Sequence, residues 1–123
     1  MTVKVFVTLA GATLLAALCG CRSHHVDASV ENRTGEQVRL LEVDYPNASF
    51  GADSLPSGAD LHYRFQLSGQ GPIKVQYTIG DGSHEQATQI TGPTLAEPQQ
   101  GRLVIVLLPG GKAAFHPQLS PWP

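Results

Sequence analysis

Five histidines are the side chains with the most obvious capacity for chemistry in this 123-residue chain. His24 and His25 are adjacent, and Asp27 could supply a third ligand to Cu(II) or Zn(II). Neighbouring side chains of an extended segment point to opposite sides, so two adjacent rings rarely reach one ion. We therefore interpret His24 and His25 as part of a solvated tether, with a metal site as the alternative.

The other three histidines, His62, His84 and His116, fall on separate elements of the predicted fold. Each takes the polar side of a strand or lies at a strand end, and no spacing requires any two of them to meet. The sequence therefore predicts neither a shared catalytic site nor a cofactor.

Patterns for covalent or acid–base catalysis are also missing. No Gly-x-Ser-x-Gly motif occurs, and Ser57 and Ser68 each precede a glycine in a predicted turn. Glu42 and Asp44 share one strand face and could be considered as the paired carboxylates of a glycoside hydrolase. Alternating charges on a solvated face are routine, however, so the pair does not indicate that activity. The glycine-rich pieces 69–71 and 80–82 have no P-loop lysine. We therefore expect a non-enzymatic protein. An unrecognised hydrolase ranks third among the possible functions, after the protein-binding and metal-binding hypotheses given below.

The amino-terminal segment has the pattern of an export signal. Lys4 gives a positive start, an apolar run extends from Val5 to Leu18, and Gly20 is a small residue before a cleavage site. The run is shorter than the roughly 20 residues that a membrane-spanning helix needs. We expect residues 1–20 to be removed.

Leu18-Cys19-Gly20-Cys21 resembles the lipobox of bacterial lipoproteins. The resemblance covers these four residues and the preceding signal, and it departs from the usual pattern at Cys19, where Ala or Ser is commoner. It implies diacylglycerol on Cys21, cleavage between Gly20 and Cys21, and acyl chains such as palmitate in the bilayer. The alternative is an ordinary secreted protein with Cys21 as a free thiol.

Anchoring by acyl chains is physically sufficient, since each buried methylene contributes about 0.8 kcal/mol and two or three chains hold stably. Among the lipoproteins of Gram-negative bacteria, Arg22 in place of Asp favours the outer membrane, facing the periplasm. In a Gram-positive envelope that inference does not apply.

Composition narrows the remaining classes. Eight Lys and Arg stand against ten Asp and Glu, and removing Lys4 with the signal brings the net charge near −3. A nucleic-acid-binding surface would need a basic excess, so no nucleic acid is expected. No cluster of Lys and Arg in sequence would hold lipid headgroups. Once Cys19 is removed and Cys21 is acylated, no thiol remains for a disulfide.

Apolar residues recur with period two between turn signals, which predicts strands. A switch of parity predicts a β-bulge at Leu40-Leu41. The runs 61–67 and 73–79 are joined by a short glycine-rich loop, which predicts a hairpin. The segment from Phe50 to Gly58 is expected to be a loop. The predicted strands are 26–31, 37–45, 61–67, 73–79, 84–90 as an edge strand or covering loop, 102–108 covered on both faces, and 113–115.

These segments predict an all-β fold, a small antiparallel immunoglobulin-like sandwich of about six to eight strands. A small, partly open β-barrel is the alternative. The chain divides into the signal 1–20, a lipidated start and tether 21–25, a sandwich domain 26–116 and an irregular proline-rich tail 117–123.

Aromatic residues beside the loop Asn47 to Pro56 are candidates for partner binding, namely Tyr45, Phe50 and Trp122. The alternative places Tyr45 and Phe50 in the core and Trp122 over an end of the sandwich. We favour a membrane-anchored envelope lipoprotein that binds a protein partner or assists assembly. A metal-binding lipoprotein that uses the histidines is the second hypothesis.

Overall fold

The computed structural model describes residues 25–80, 84–97 and 99–121. The lipobox with Gly20 and Cys21, the first histidine of the pair, His24, and the aromatic candidate Trp122 lie outside the described residues. No helix in the described part of the chain is long and apolar enough to cross a membrane.

The described residues form eight strands in two four-stranded sheets. The first sheet has the order β4-β1-β7-β8 and the second has the order β3-β2-β5-β6. The strands are β1 Val26–Asn32, β2 Val38–Asp44, β3 Ser49–Leu55, β4 Asp60–Phe65, β5 Gly71–Ile79, β6 Gln86–Leu95, β7 Gln99–Leu108 and β8 Lys112–Pro121.

This architecture confirms the predicted β-sandwich. The strand pairings keep the two sheets separate, so the alternative of a partly open barrel is wrong. The chain crosses between the sheets four times, as is typical of immunoglobulin-like sandwiches. One pairing departs from the antiparallel expectation, because β7 enters the first sheet from β6 of the second sheet and lies parallel to β1.

The inner faces of both sheets supply a core of aliphatic side chains. The inward residues of β1, β5 and β7 are almost fully buried, and in β1 and β5 they alternate with mainly polar outward residues as period two requires. The most buried are Val26, Val30, Val38, Val43, Leu67, Ile73, Val75, Leu103, Ile105 and Leu107, each at 0% exposure. On the outer face of β7, however, Val104 and Val106 are only half-buried, so the prediction that this strand is covered on both faces is wrong there.

The predicted hairpin between 61–67 and 73–79 is wrong. β4 pairs with β1 in the first sheet, whereas β5 pairs with β2 and β6 in the second. Leu67 lies between the two strands and is completely buried, and the Asn47 side chain bonds the backbone of Gln66 and Ser68 on either side of it. A short glycine-rich link therefore crosses the sandwich, because burying Leu67 fixes the chain between the sheets.

Two further segments form strands where irregular structure is predicted. The expected loop from Phe50 to Gly58 contains most of β3, which pairs along β2 from Asp44 to Val38. The expected irregular tail contains the second half of β8, where Pro117 and Pro121 pair with β7. Both strands lie at sheet edges, where a strand is held from one side only and low strand propensity is tolerated.

Two further features of the second sheet agree with the sequence. The segment 84–90 was predicted as an edge strand or covering loop, and β6 is an edge strand of the second sheet. The predicted bulge is also confirmed, since the register between β2 and β5 shifts between Arg39 and Glu42. Leu40 and Leu41 therefore share one position opposite β5.

A buried asparagine organises the end of the sandwich where β1 ends. Asn32 is fully buried, and its side-chain amide donates to the carbonyls of Glu36 at 2.8 Å and Leu55 at 2.9 Å. Its side-chain oxygen accepts from the Thr34 backbone and hydroxyl. The hydrogen bonds of a fully bonded buried group offset the cost of its desolvation and fix the turn, so Asn32-Arg33-Thr34 has a structural role.

Candidate functional site

Leu40 combines two unusual properties at the bulge of β2. Among the described residues it is the only non-glycine with a positive φ, 51°. It is also the only large hydrophobic residue of that part of the chain that is exposed, at 67%. A left-handed backbone costs an L-residue roughly 1 to 2 kcal/mol, and exposing a leucine gains nothing. Such an outlier is a reason to look for function at the same place.

The bulge explains how Leu40 comes to point outward. Arg39 pairs with Thr78 of β5 and Glu42 pairs with Gln76, so two residues of β2 lie opposite a single residue of β5. The extra residue leaves Leu41 buried in the core and turns the preceding side chain to solvent. Leu41 also brings its carbonyl oxygen to where a Cβ on Gly51 would sit, 2.3 Å away. Only glycine therefore fits opposite the bulge on β3.

Two grooves flank Leu40 on the outer surface of the second sheet. The first has a volume of about 570 Å³ and is lined on one side by Leu40 and Glu42 and on the other by residues 49–53 of β3. The second, of about 460 Å³, extends over β5 and β6 and is lined by Gln76 and Gln89 among others. We call this surface, with Leu40 at its centre, the Leu40 face.

The Leu40 face carries an excess of negative charge. Glu42 and Asp44 are two positions apart on the same outer side of β2, and the hydrogen bond and repulsion between the carboxyl groups raise the pKa of Glu42. Asp44 also accepts a hydrogen bond of 2.5 Å from Ser49 and pairs in register with Lys74. In the described residues, neither Glu42 nor Asp53 makes a salt bridge.

Beneath this region, four aromatic rings fill the gap between β3 and β4. Phe50 and Tyr63 stack with ring centres 4.3 Å apart, and Tyr45 lies 4.3 Å from Phe65. The hydroxyls of Tyr45 and Tyr63 share a hydrogen bond of 2.7 Å. We call these four residues the aromatic cluster.

Burial controls the chemistry of the cluster's phenols. Desolvation raises the pKa of Tyr45 to about 12, although its bond with Tyr63 acts in the opposite direction. Desolvation is also the largest cause that raises the pKa of Tyr63. Both phenols therefore stay neutral and hydrogen-bonded at physiological pH. Tyr45 is buried and Phe50 packs against the core, so the alternative that placed them in the core is confirmed.

The structure separates the histidines that it describes. His62 on β4 and His116 on β8 share one row across the first sheet, but β1 and β7 lie between them. Three strand spacings amount to about 14 Å, too far for one ion. His84 precedes β6 in the other sheet. Within residues 25–80, 84–97 and 99–121, no three His, Cys, Asp or Glu side chains are grouped closely enough to hold a metal ion.

Sequence reasoning did not identify a row of charged residues across the first sheet, in which two arginines flank Asp27. Asp27, proposed as a metal ligand, instead forms a salt bridge of 2.8 Å with Arg64, and Arg102 is its register partner on the other side. Residues 27, 64 and 102 are far apart in the chain, and only the strand order makes them neighbours. Leu40 was recognised as part of a bulge, but its backbone conformation and exposure have no sequence signal.

Comparisons with known proteins do not assign this chain to a family. No family model, no curated protein and no solved structure matches it.

Proposed function

We propose that the protein is a lipid-anchored, non-enzymatic module of the bacterial cell envelope that binds a partner protein through the Leu40 face. The observation that supports binding is Leu40 itself, which is held in an unfavourable backbone conformation and exposed between two grooves. Interfaces commonly centre on an apolar anchor with a polar rim. The Leu40 face has that composition.

The proposed anchor places this surface close to the membrane. β1 begins at Val26, five positions after Cys21, so a fully extended tether holds the start of the sandwich within about 20 Å of the bilayer. The lipobox supports acylation at Cys21, and the partner is then itself an envelope protein. Replacing Cys21 with Ala should abolish palmitate labelling and membrane fractionation while the sandwich still folds.

Photocrosslinking in intact cells tests the binding surface. A photoreactive amino acid at Gln76, which lines one of the grooves, should give a discrete adduct with another envelope protein. The same group at His62, on the outer face of the other sheet, is the matched control and should give none. Substituting Leu40→Asn in the Gln76 background should remove the adduct.

Leu40→Asn also separates binding from folding. Asn tolerates a positive φ better than Leu, so we expect the variant to be about 0.5 to 1 kcal/mol more stable. A variant that is more stable and yet loses its adduct identifies Leu40 as a binding residue. If the Gln76 adduct persists in Leu40→Asn, or if His62 gives the same adduct, the Leu40 face is not the binding surface.

A further inference from the structure

The four edge strands of the sandwich are protected unequally. β6 contains Pro93, and its register with β5 shifts opposite that residue, while β8 contains Pro117 and Pro121. Proline offers no N–H to an incoming strand, and bulges also hinder pairing, so both features block sheet extension. β3 and β4 contain no proline.

Of the two proline-free edges, β4 is guarded by charge. Its outward residues Asp60, His62 and Arg64 are exposed, and Arg64 is bound to Asp27 of the neighbouring strand. The outward positions of β3 are instead small, with Ser49, Gly51 and Ser54 exposed and Asp53 as the one charge. β3 is therefore the edge on which a further strand meets the least obstruction.

The first groove extends along this same edge. Residues 49–53 of β3 line it, and Leu40 and Glu42 form its other wall. Four of the seven residues of β3 are exposed. A strand that paired with β3 would lie about 4.8 Å beyond it and could direct alternate side chains over the groove.

We propose that β3 is a strand-addition site, at which an extended, basic segment of the partner protein joins the second sheet as its fifth strand. The backbone of the segment pairs with β3, and Lys or Arg at alternate positions faces Glu42 and Asp53. This inference rests on the proposed protein-binding function and specifies the chemistry of the partner.

The charges select this occupant over a second copy of the chain. In an antiparallel β3–β3 pair centred on Ala52, Gly51 of one copy faces Asp53 of the other, so the two Asp53 carboxylates are diagonal neighbours on one face. Like charges on diagonal neighbours, about 7 Å apart, repel each other and disfavour this pairing. A basic segment instead pairs with Asp53 and Glu42, which make no salt bridge within the described residues.

Three synthetic heptapeptides test the site on the full chain purified in a neutral detergent. The first alternates Val and Lys, the second has Glu at every Lys position, and the third is the Lys peptide with every backbone amide methylated, so that neither edge of the peptide can donate to β3. Backbone hydrogen exchange, read by mass spectrometry, locates the bound peptide, and titration of a labelled peptide gives its affinity.

The Lys peptide should bind and slow exchange in 49–55, while the segments of β4, β6 and β8 remain unchanged. The Glu peptide and the methylated peptide should bind at least tenfold more weakly. Asp53→Asn and Glu42→Gln should each weaken the Lys peptide about threefold, within the range that an exposed ion pair supplies. Asp60→Asn on β4 is the matched control and should leave its affinity unchanged.

Equal binding of the methylated peptide would overturn strand addition, because that peptide keeps the charges and loses the backbone donors. Protection at another edge, or a dimer of this chain that forms through β3, would also overturn it. The Leu40-dependent adduct at Gln76 is independent of these peptides. Failure to obtain that adduct when Leu40 is present would contradict the protein-binding function itself, whereas a Leu40-dependent adduct alongside a failed peptide assay would contradict only the strand-addition site.

Discussion

The sandwich has two lateral sides, one between β3 and β4 and one between β6 and β8, and different residues fill them. Between β3 and β4, the aromatic cluster fills the gap, and the edges above it are free of proline. Between β6 and β8, the ring of Phe115 lies over Gly92, and both edges carry proline. The first side is filled by four rings and its edges are open to pairing, whereas on the second side the described ring of Phe115 covers Gly92 and the edges are blocked by proline.

The comparison shows that edge protection and internal filling are separate properties of a sandwich. Proline on β6 and β8 removes backbone donors without contributing to the core. The aromatic cluster contributes to the core and leaves the backbone of β3 available. The side that we propose for binding therefore has a packed aromatic interior beneath an accessible edge.

The largest expected effect on stability comes from a glycine-to-alanine substitution, compared between the β3–β4 side and the β6–β8 side. Gly51→Ala places a Cβ 2.3 Å from the backbone oxygen of Leu41, which cannot move without breaking the bulge. We expect a loss of about 3 kcal/mol in unfolding free energy. Gly92→Ala meets the Phe115 ring at 2.6 Å, and because that half-buried ring can shift, the loss should be about 1 kcal/mol. Urea denaturation measures both, and equal losses would contradict the distinction.

High pH should weaken the β3–β4 side selectively. Tyr45 has a pKa raised from 10.0 to about 12 by burial, so the folded protein keeps a proton that the unfolded chain releases near pH 10. Its contribution to stability is complete below pH 10 and is lost as the pH rises from 10 to 12, by about 2 kcal/mol.

Phenolate absorbance during a pH titration, combined with denaturation at each pH, checks this expectation. A Tyr45→Phe variant is the control, and its stability should fall less steeply above pH 10. Normal ionisation of all three tyrosines near pH 10 in the folded protein would contradict the burial argument.

Removing single hydroxyls should have opposite signs in the two regions. Tyr45→Phe leaves the Tyr63 hydroxyl without its 2.7 Å partner and should cost about 1 kcal/mol. Tyr77 lies on β5, next to β6, and its buried hydroxyl has no hydrogen-bond partner in the described residues. Tyr77→Phe should therefore leave stability unchanged or raise it by about 1 kcal/mol. Thermal denaturation ranks the variants, and destabilisation by Tyr77→Phe would reveal a partner for that hydroxyl.

Replacing the edge prolines should have the smallest effect on stability but a measurable effect on self-association. A double variant, Pro93→Ser with Pro117→Ser, should change the unfolding free energy by less than about 0.5 kcal/mol, because both residues are exposed at edges. It should self-associate at lower concentration, since two edges regain backbone donors. Light scattering measures the association. A variant that stays monomeric would show that proline is not what protects this side.

The sequence predicted the strands that carry a strong period-two pattern. Val26 to Val30, Leu61 to Phe65 and Ile73 to Ile79 alternate clearly, and each is a strand. The parity switch at Leu40-Leu41 also predicted the bulge, because an added residue reverses the facing of every later side chain. These features are local, so the residues themselves carry the information.

The hairpin, the loop at β3 and the irregular tail were wrong for a shared reason. Whether a glycine-rich link pairs two strands or crosses between sheets depends on where Leu67 is buried, which local pattern does not reveal. β3 and the end of β8 are strands only because β2 and β7 offer them partners. Strand propensity depends on such neighbours more than helix propensity does.

Features of the candidate site also fall into two groups, those that the sequence determined and those that only the tertiary structure decided. The sequence by itself determined the period-two strands, the bulge, the absence of a catalytic motif and the expectation of an anchor at Cys21, since each depends on neighbouring residues. Only the tertiary structure decided that Leu40 is exposed between two grooves, that Tyr45 and Phe50 belong to the core, and which edges are open. Those properties depend on which strands become neighbours, and burial energy summed over the whole sandwich decides that.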